Sequence, residues 1–253
     1  MRRITSSPST LLTWARFRVS PGECAAPKPS WPGTWNFSLT ARFRWLGGET
    51  WIPTGSQTIN SFLPLKSDLW LTSYGLYLIE LVNQFTADHV ENRRLFRLLL
   101  DTMHNLCQPV NKELTLRYFE LHLLHEVGYR PQLQWCVLCH TPLKPVTNSF
   151  CPSAGGILCP DCTHTQPLTY PLSVNALKVL RLLQGSDYQV VSKLKMDPRL
   201  SQEIEIIMRN YLKYLLERDV KSVAWLDTLK EQIKQTTTGQ VIASDKEDSQ
   251  SPD

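Results

Sequence analysis

Four cysteines between residues 136 and 162 have the spacing of a metal site. They form two C-x-x-C pairs separated by nineteen residues, in the stretch CVLCHTPLKPVTNSFCPSAGGILCPDC. A C-x-x-C turn presents two thiolates to one side of an ion, and a second pair closes the other side of a tetrahedron. The pattern predicts a structural zinc with Cys136, Cys139, Cys159 and Cys162 as ligands. Four thiolates leave no open position for water, so we do not expect this zinc to be catalytic.

Three neighbouring side chains leave the ligand count open. Cys151, His140 and His164 are all chemically able to replace one of the four cysteines, although each can equally be a bystander. A redox dithiol formed by Cys136 and Cys139 is a further alternative, but it would leave the second C-x-x-C pair as a coincidence.

The segment around these cysteines is poor in large apolar side chains. The 27 residues from 136 to 162 cannot bury a core of their own, so metal binding is expected to supply their folding energy. Gly155 and Gly156 precede the second pair and suit a tight backbone turn that presents Cys159.

The rest of the chain carries no complete catalytic motif. The phosphate-binding, dinucleotide-binding and nucleophile-elbow glycine patterns are absent. His122 and His125 can share a helix face, but Tyr129 stands where the second histidine of an H-E-x-x-H motif would have to be. We therefore expect a protein that is not an enzyme; an enzyme that uses His122 and His125, or a zinc with an open position, is the alternative.

The sequence predicts a cytoplasmic protein. Arg16 interrupts the apolar run Leu11–Ala15 before it reaches the length of a secretory signal, and the most apolar stretch, 69–79, is about half as long as a membrane span. Cytoplasmic thiols stay reduced, which favours metal ligation by the paired cysteines over disulfides.

Charge is unevenly distributed along the 253 residues, although the net charge is only +4. Residues 1–50 contain seven Arg or Lys against two Glu, whereas residues 241–253 contain four acids against one Lys. A basic N-terminal region is compatible with a polyanionic partner, without identifying it.

The hydrophobic pattern divides the chain into an irregular first part and a helical second part. Residues 1–65 hold seven of the seventeen prolines and five of the eight tryptophans, with short alternating pieces such as 37–44 that suit strands. Asp88 is a candidate N-cap and Gly128 a candidate C-cap of helices. Apolar residues at helical spacing predict helices over 67–86, 89–107, 111–127, 172–184 and 199–217, with a short one over 221–233.

Two stretches together resemble one protein family. They are RYFELHLLHEVGYRPQLQWCVLC, which leads into the first cysteine pair, and MRNYLKYLLERDVKSVAWLDTL near the C-terminus. In this combination the chain resembles the DNA repair protein RecO family of recombination mediators, over about residues 65–230.

The resemblance implies an α+β fold. It comprises a divergent or partial OB-fold-like β region at 1–65 and a mainly α-helical domain at 66–233 that contains a four-cysteine zinc module at 131–165. We call residues 131–165 the cysteine module. Residues 234–253 are polar and acidic and are predicted to be a disordered tail.

The resemblance also implies a function. A RecO-like protein would bind single- and double-stranded DNA, anneal complementary strands and assist recombinase loading. Its implied partners are a RecR-type recombination protein and the single-stranded-DNA-binding protein, and its place is the cytoplasm, associated with the nucleoid. The same ligands, Cys136, Cys139, Cys159 and Cys162, carry over from the family pattern. The alternative is a helical, zinc-containing adaptor that joins proteins without binding DNA.

Residues 1–65 depart from the family pattern, because a RecO-like OB-fold should have about eighty residues with clear strands. Three explanations are open: divergence that keeps a basic and aromatic surface, truncation, or a start in the wrong place or reading frame.

Two basic clusters are candidate DNA contacts. Arg42, Arg44 and Trp45 combine charge with an aromatic ring, as surfaces that bind single strands do, and strand alternation would place the two arginines on one face. Arg93, Arg94 and Arg97 form the second cluster. Ordinary solvated arginines are the alternative for both. Phosphate contacts would make binding strongly salt-dependent and indifferent to sequence.

Overall fold

The computed structural model describes residues 40–46, 52–86, 92–217, 220, 222–223 and 227–228. Two strands are followed by four helices, a small sheet with one short helix, and three further helices. The elements are β1 (Thr40–Leu46), β2 (Ile52–Asn60), α1 (Leu63–Ser67), α2 (Leu69–Phe85), α3 (Arg93–Leu106), α4 (Lys112–Glu126), β3 (Asn148–Cys151), β4 (Gly156–Leu158), α5 (Pro160–Thr163), β5 (Tyr170–Leu172), α6 (Val174–Gly185), α7 (Tyr188–Val191) and α8 (Pro198–Leu216).

Helix α4 lies at the centre of the helical domain. It packs against α2, α3, α6 and α8, and nine of its fifteen residues are buried. A helix surrounded in this way is buried on most sides, so its buried residues do not form a single stripe. The apolar stripes predicted for the neighbouring helices are core residues, among them Leu95, Leu99 and Met103 on α3 and Ile204 and Ile207 on α8.

Side-chain caps set where several helices begin. Asp68 accepts hydrogen bonds from the N–H groups of Trp70 and Leu71 and separates α1 from α2. The helix predicted over 67–86 therefore begins at Leu69. Asn92 caps α3 through Leu95 N–H at 3.0 Å, and the helix therefore begins at Arg93 instead of 89. The predicted cap, Asp88, lies outside the described residues.

Gly128 ends α4, as the sequence predicts. Its φ is +87°, and the N–H groups of Tyr129 and Gly128 donate to the carbonyls of Leu124 (2.7 Å) and His125 (3.2 Å). This pair of bonds is a Schellman motif, which needs the left-handed conformation that glycine adopts without strain. The motif directs the chain out of α4 and into the cysteine module.

A charged pair is buried inside the helical domain, and nothing in the sequence pattern predicted it. Arg117 Nη2 lies 2.9 Å from Glu120 Oε1, which also accepts a hydrogen bond of 2.6 Å from Tyr77 Oη. Glu120 is fully buried, and burial raises its pKa while the charge of Arg117 acts in the opposite direction. The two charges depend on each other, because either one alone would be an uncompensated buried charge.

The described part of the N-terminal region is a two-stranded antiparallel sheet. In β1, Arg42 pairs with Gln57 and Arg44 with Gly55 of β2, with a register shift after Arg44. A strand was predicted over 37–44, and β1 confirms it for the described residues 40–44. The OB-fold-like region itself stays a prediction, because residues 1–39 and the loop between the strands, 47–51, lie outside the described residues.

The cysteine module contributes β3 and β4 to a three-stranded antiparallel sheet in the order β4-β3-β5, whose third strand, β5, follows the module in the chain. The sequence did not predict these strands, since segments of three or four residues are too short for an alternating pattern to be recognised. At the C-terminal side, Ser222, Val223, Asp227 and Thr228 are helical within the predicted helix 221–233, and the predicted tail 234–253 lies outside the described residues. No described helix is both long and apolar enough to cross a membrane.

Candidate metal centre

The first cysteine pair sits in a tight turn of the cysteine module. Cys136 N–H donates to the carbonyl of Thr141 at 2.9 Å, and His140 N–H donates to the carbonyl of Cys136 at 3.0 Å. His140 adopts a φ of +57°, the left-handed conformation that reverses the chain after Cys139. The turn therefore fixes both sulfur atoms on the same side of the loop.

The second pair lies where β4 meets α5. Cys159 is the N-cap of this four-residue helix and Pro160 occupies its first position, where a missing N–H costs nothing. Cys162 N–H donates to the carbonyl of Cys159 at 3.0 Å. The two sulfur atoms are thus held one helical turn apart.

Backbone pairing brings the two turns face to face. Val137 N–H donates to the carbonyl of Ile157 at 3.0 Å, which places the first turn beside β4. The approach is close at Gly156, where a Cβ atom would stand 2.6 Å from the carbonyl oxygen of Gln132. Gly155 has a φ of +67°. Both predicted turn glycines therefore occupy positions that other residues could not take without strain or displacement.

The four predicted ligand atoms converge on one point. The Sγ atoms of Cys136, Cys139, Cys159 and Cys162 all lie within 4.8 Å of one another, and those of Cys139 and Cys159 are 3.7 Å apart. With Zn–S bonds of about 2.3 Å, the sulfur atoms of a tetrahedral zinc site are about 3.8 Å apart. The donor set and its dimensions therefore fit a tetrahedral ion with soft ligands.

Hydrogen bonds favour the thiolate form on the side of the first pair. Hydrogen bonds from the hydroxyl and amide of Thr141 lower the pKa of the Cys139 thiol to about 6, and the Thr141 Oγ1 atom lies 3.0 Å from Cys139 Sγ. Burial opposes ionisation of Cys136, but backbone N–H groups, that of Cys159 included at 3.4 Å from Cys136 Sγ, outweigh it and lower its pKa. Thr141 was not singled out by the sequence pattern.

The second pair resists ionisation. Its hydrogen bond to Cys159 raises the pKa of the Cys162 thiol to about 12, and burial raises that of Cys159. Four negative charges this close repel one another, so all four sulfur atoms become thiolates together only when a cation lies among them. The charges of the four sulfur atoms therefore favour a bound cation, as the distances between them do.

The three other candidate ligands do not join this cluster. Within the described residues, the only set of three or more potential ligand atoms that lie this close comprises the four predicted cysteines. Cys151 is buried beside the cluster and has its Sγ atom 3.2 Å from Ser153 Oγ. His140 and His164 are exposed, with backbone roles in the turn and at the end of α5.

The side chains of His122 and His125 lie in different environments. His122 is half-buried, its ring lies 4.1 Å from that of Tyr118, and its Nε2 atom is 3.1 Å from the carbonyl oxygen of Leu183. Burial lowers the pKa of His122, which favours the neutral ring. His125 is exposed at the last turn of α4. His122 is thus held by core contacts.

The two basic clusters lie on different elements. Arg42, Arg44 and Trp45 lie on β1. Arg93, Arg94 and Arg97 are three of the first five residues of α3 and are all exposed, and no acidic residue stands in the first turn of this helix.

The helical domain is similar to known proteins. Residues 66–224 match the family model described as the C-terminal part of recombination protein O. A DNA repair protein RecO from Dehalococcoides mccartyi strain 195 is 43% identical over 176 residues, which cover 70% of this chain and 69% of that protein. Another, from Roseiflexus sp. strain RS-1, is 37% identical over 208 residues, which cover 82% of this chain and 74% of that protein.

Proposed function

Because this chain belongs to the RecO family of DNA repair proteins, we propose that it is a non-enzymatic mediator of homologous recombination. It binds DNA, anneals complementary single strands and assists the loading of recombinase. The observation that carries this proposal is the family match over most of the helical domain, together with the two similar relatives. Annealing needs no bond chemistry, because the protein only has to neutralise the two strands while base pairing joins them.

The arginines of α3 support DNA as the ligand. Cations near a helix N-terminus are unfavourable, because the first turn already carries the positive end of the helix dipole. Arg93 and Arg94 stand in this first turn and Arg97 follows it directly; all three are exposed, and none of them forms an ion pair with another described residue. Phosphate groups would neutralise both the arginines and the helix end. In this proposal a second contact with DNA is formed by Arg42, Arg44 and Trp45 of β1.

The four cysteines hold a structural zinc in this proposal. The ion would be bound by Cys136, Cys139, Cys159 and Cys162, and it would fix the fold of the cysteine module without taking part in a reaction. Thr141 would stabilise the thiolate of Cys139, and the N–H group of Cys159 that of Cys136.

The partners follow from the family. We expect the protein to work with a RecR-type recombination protein and with the single-stranded-DNA-binding protein, in the cytoplasm at the nucleoid. A protein–protein adaptor that does not bind DNA itself is the alternative, and the experiment below separates the two.

The test compares two triple variants of the full chain. R93A/R94A/R97A removes the α3 arginines, whereas K178A/K193A/K195A removes three other exposed cations and serves as a control of equal charge. Affinity for a fluorescent single strand is measured at several salt concentrations, and annealing of complementary strands is followed alongside.

The arginine variant should bind more weakly, with a plot of log affinity against log salt that is less steep by about 2, since each phosphate contact contributes about 0.7. It should also anneal more slowly, and the lysine variant should match the wild type. If the wild type itself neither binds nor anneals, the adaptor alternative replaces this proposal.

A further inference from the structure

Tyr211 lies in the C-terminal half of α8 and faces the cysteine module. It is 3% exposed, and burial raises the pKa of its hydroxyl to about 12. The side chain is therefore a neutral hydrogen-bond donor at any physiological pH. It belongs to the helical domain by sequence, yet its ring contacts Phe150 of the module.

The hydroxyl of Tyr211 holds the segment that carries the first cysteine pair. It donates to the carbonyl oxygen of Tyr129 at 3.0 Å, immediately after the end of α4. Three residues further on, Gln132 pairs with the β3–β4 turn: its N–H donates to Gly155 at 2.9 Å and its carbonyl accepts from Ile157 at 3.0 Å. The segment then continues directly to Cys136 in the first turn.

The ring of Tyr211 holds the hairpin that carries the second pair. It packs edge-on against Phe150 of β3, with ring centroids 5.1 Å apart and an interplanar angle of 71°. The hydroxyl also borders the turn between β3 and β4, since a Cβ atom at Gly155 would lie 3.5 Å from it. β4 leads from this turn to Cys159.

We propose that Tyr211 is a positioning residue of the metal centre, which sets the distance between the two cysteine pairs by contacting both segments that carry them. This inference rests on the proposed zinc site. A shift of either segment relative to the other would move two sulfur atoms away from the other two. Because a tetrahedral site tolerates only small changes in sulfur positions, the metal should be released faster when this connection is lost.

The matched variants are Tyr211→Phe and Tyr214→Phe. The first keeps the ring and removes only the hydroxyl, so it should fold; the second makes the same change one turn further along α8, at an exposed residue. Zinc release from the full chain is followed with a chromophoric chelator, and the cobalt-substituted protein is examined by absorption spectroscopy. Unfolding of the metal-free protein is measured in parallel.

Tyr211→Phe should release zinc about tenfold faster, as expected for loss of a residue that supports the ligands, while the cobalt spectrum keeps its four-thiolate character. Tyr214→Phe should behave as the wild type. Phe150→Leu should also accelerate release, because it weakens the contact to the second segment.

The inference is overturned if Tyr211→Phe lowers the stability of the metal-free protein but leaves the release rate unchanged, since Tyr211 would then be a core residue only. A wild type without a four-thiolate cobalt spectrum would overturn the zinc proposal as well, which distinguishes the two failures.

Discussion

The helical domain and the cysteine module reach a folded state by different means. The domain buries large apolar side chains from seven helices in one continuous core. The module's own cluster consists of Cys136, Cys151, Leu158 and Cys159, three of them cysteines. Burial of apolar surface can therefore stabilise the helical domain alone, whereas we expect the module to need a metal as well.

The cysteine module also packs against the helical domain, through contacts that the sequence did not indicate. Phe150 and Ile157 of the module belong to the core of the helical domain, and Arg181 Nε donates to the carbonyl of Leu133 at 2.8 Å. The side of the module that faces α6 and α8 is thus supported by the domain. The side with the four cysteines, where Cys139 is exposed, would depend on the proposed ion.

Loss of a ligand should have the largest effect. Cys159→Ser removes one thiolate from a site whose binding energy is also folding energy, so the protein should lose zinc and become poorly soluble. Elemental analysis and thermal unfolding measure both effects. Cys151→Ser is the matched control, a buried cysteine beside the cluster that should retain one zinc per chain; a Cys159→Ser variant with stoichiometric zinc and normal melting would make the ligand assignment wrong.

Breaking the buried ion pair should have the next largest effect on stability. This effect should arise in the helical domain. Arg117→Met leaves the fully buried Glu120 without its partner and should cost about 3–5 kcal/mol of unfolding free energy. Denaturant unfolding at fixed zinc measures it. The double variant Arg117→Met/Glu120→Leu removes both charges and should recover much of the loss. Equal stability of the single and double variants would contradict the role assigned to the pair.

As the pH falls, the cysteine module should lose stability before the helical domain does. The pKa of Cys139 is depressed to about 6 in the folded protein, so its contribution to stability is present above the ordinary thiol pKa and is lost as the pH falls through about 6. Zinc competes with protons for the same sulfur atoms, so its affinity should fall at least tenfold for each pH unit in this window. Zinc release measured from pH 8 to 5 tests this, with helical circular dichroism as the control.

Replacing two glycines by alanine should have the smallest effects on stability, and the two effects should have opposite signs. Gly155→Ala in the module should destabilise by about 1 kcal/mol, because its φ of +67° is strained for a residue with a Cβ atom. Gly185→Ala in α6 meets no neighbour within 4 Å and should stabilise by about 0.5 kcal/mol, since alanine favours the helix. Effects of the same sign in both variants would contradict this assignment.

The sequence predicted what depends on local pattern. The stripe of Leu95, Leu99 and Met103 indicated a buried helix face, the C-x-x-C spacing indicated which sulfur atoms meet, and Gly128 indicated where α4 ends. These signals lie within a few residues of one another or repeat a known spacing.

Features that depend on distant residues could not be predicted in this way. The ion pair of Arg117 with Glu120 looks like ordinary helix surface until α2 and α8 cover it. Tyr211 looks like one more core residue, since its contacts with Tyr129 and Phe150 join segments far apart in the chain. Asn92 begins α3 through its bond to Leu95 N–H, which the sequence did not single out, and the predicted cap, Asp88, lies outside the described residues.

Hydrogen exchange of the full chain with and without a zinc chelator tests the difference between the two regions most directly. Removal of the metal should abolish protection of amides at 136–142 and 156–163, while amides of α3 and α4 keep theirs. Equal loss in both regions would show that the helical domain also depends on the metal. Unchanged protection of the module would contradict the claim that a metal is needed to fold it.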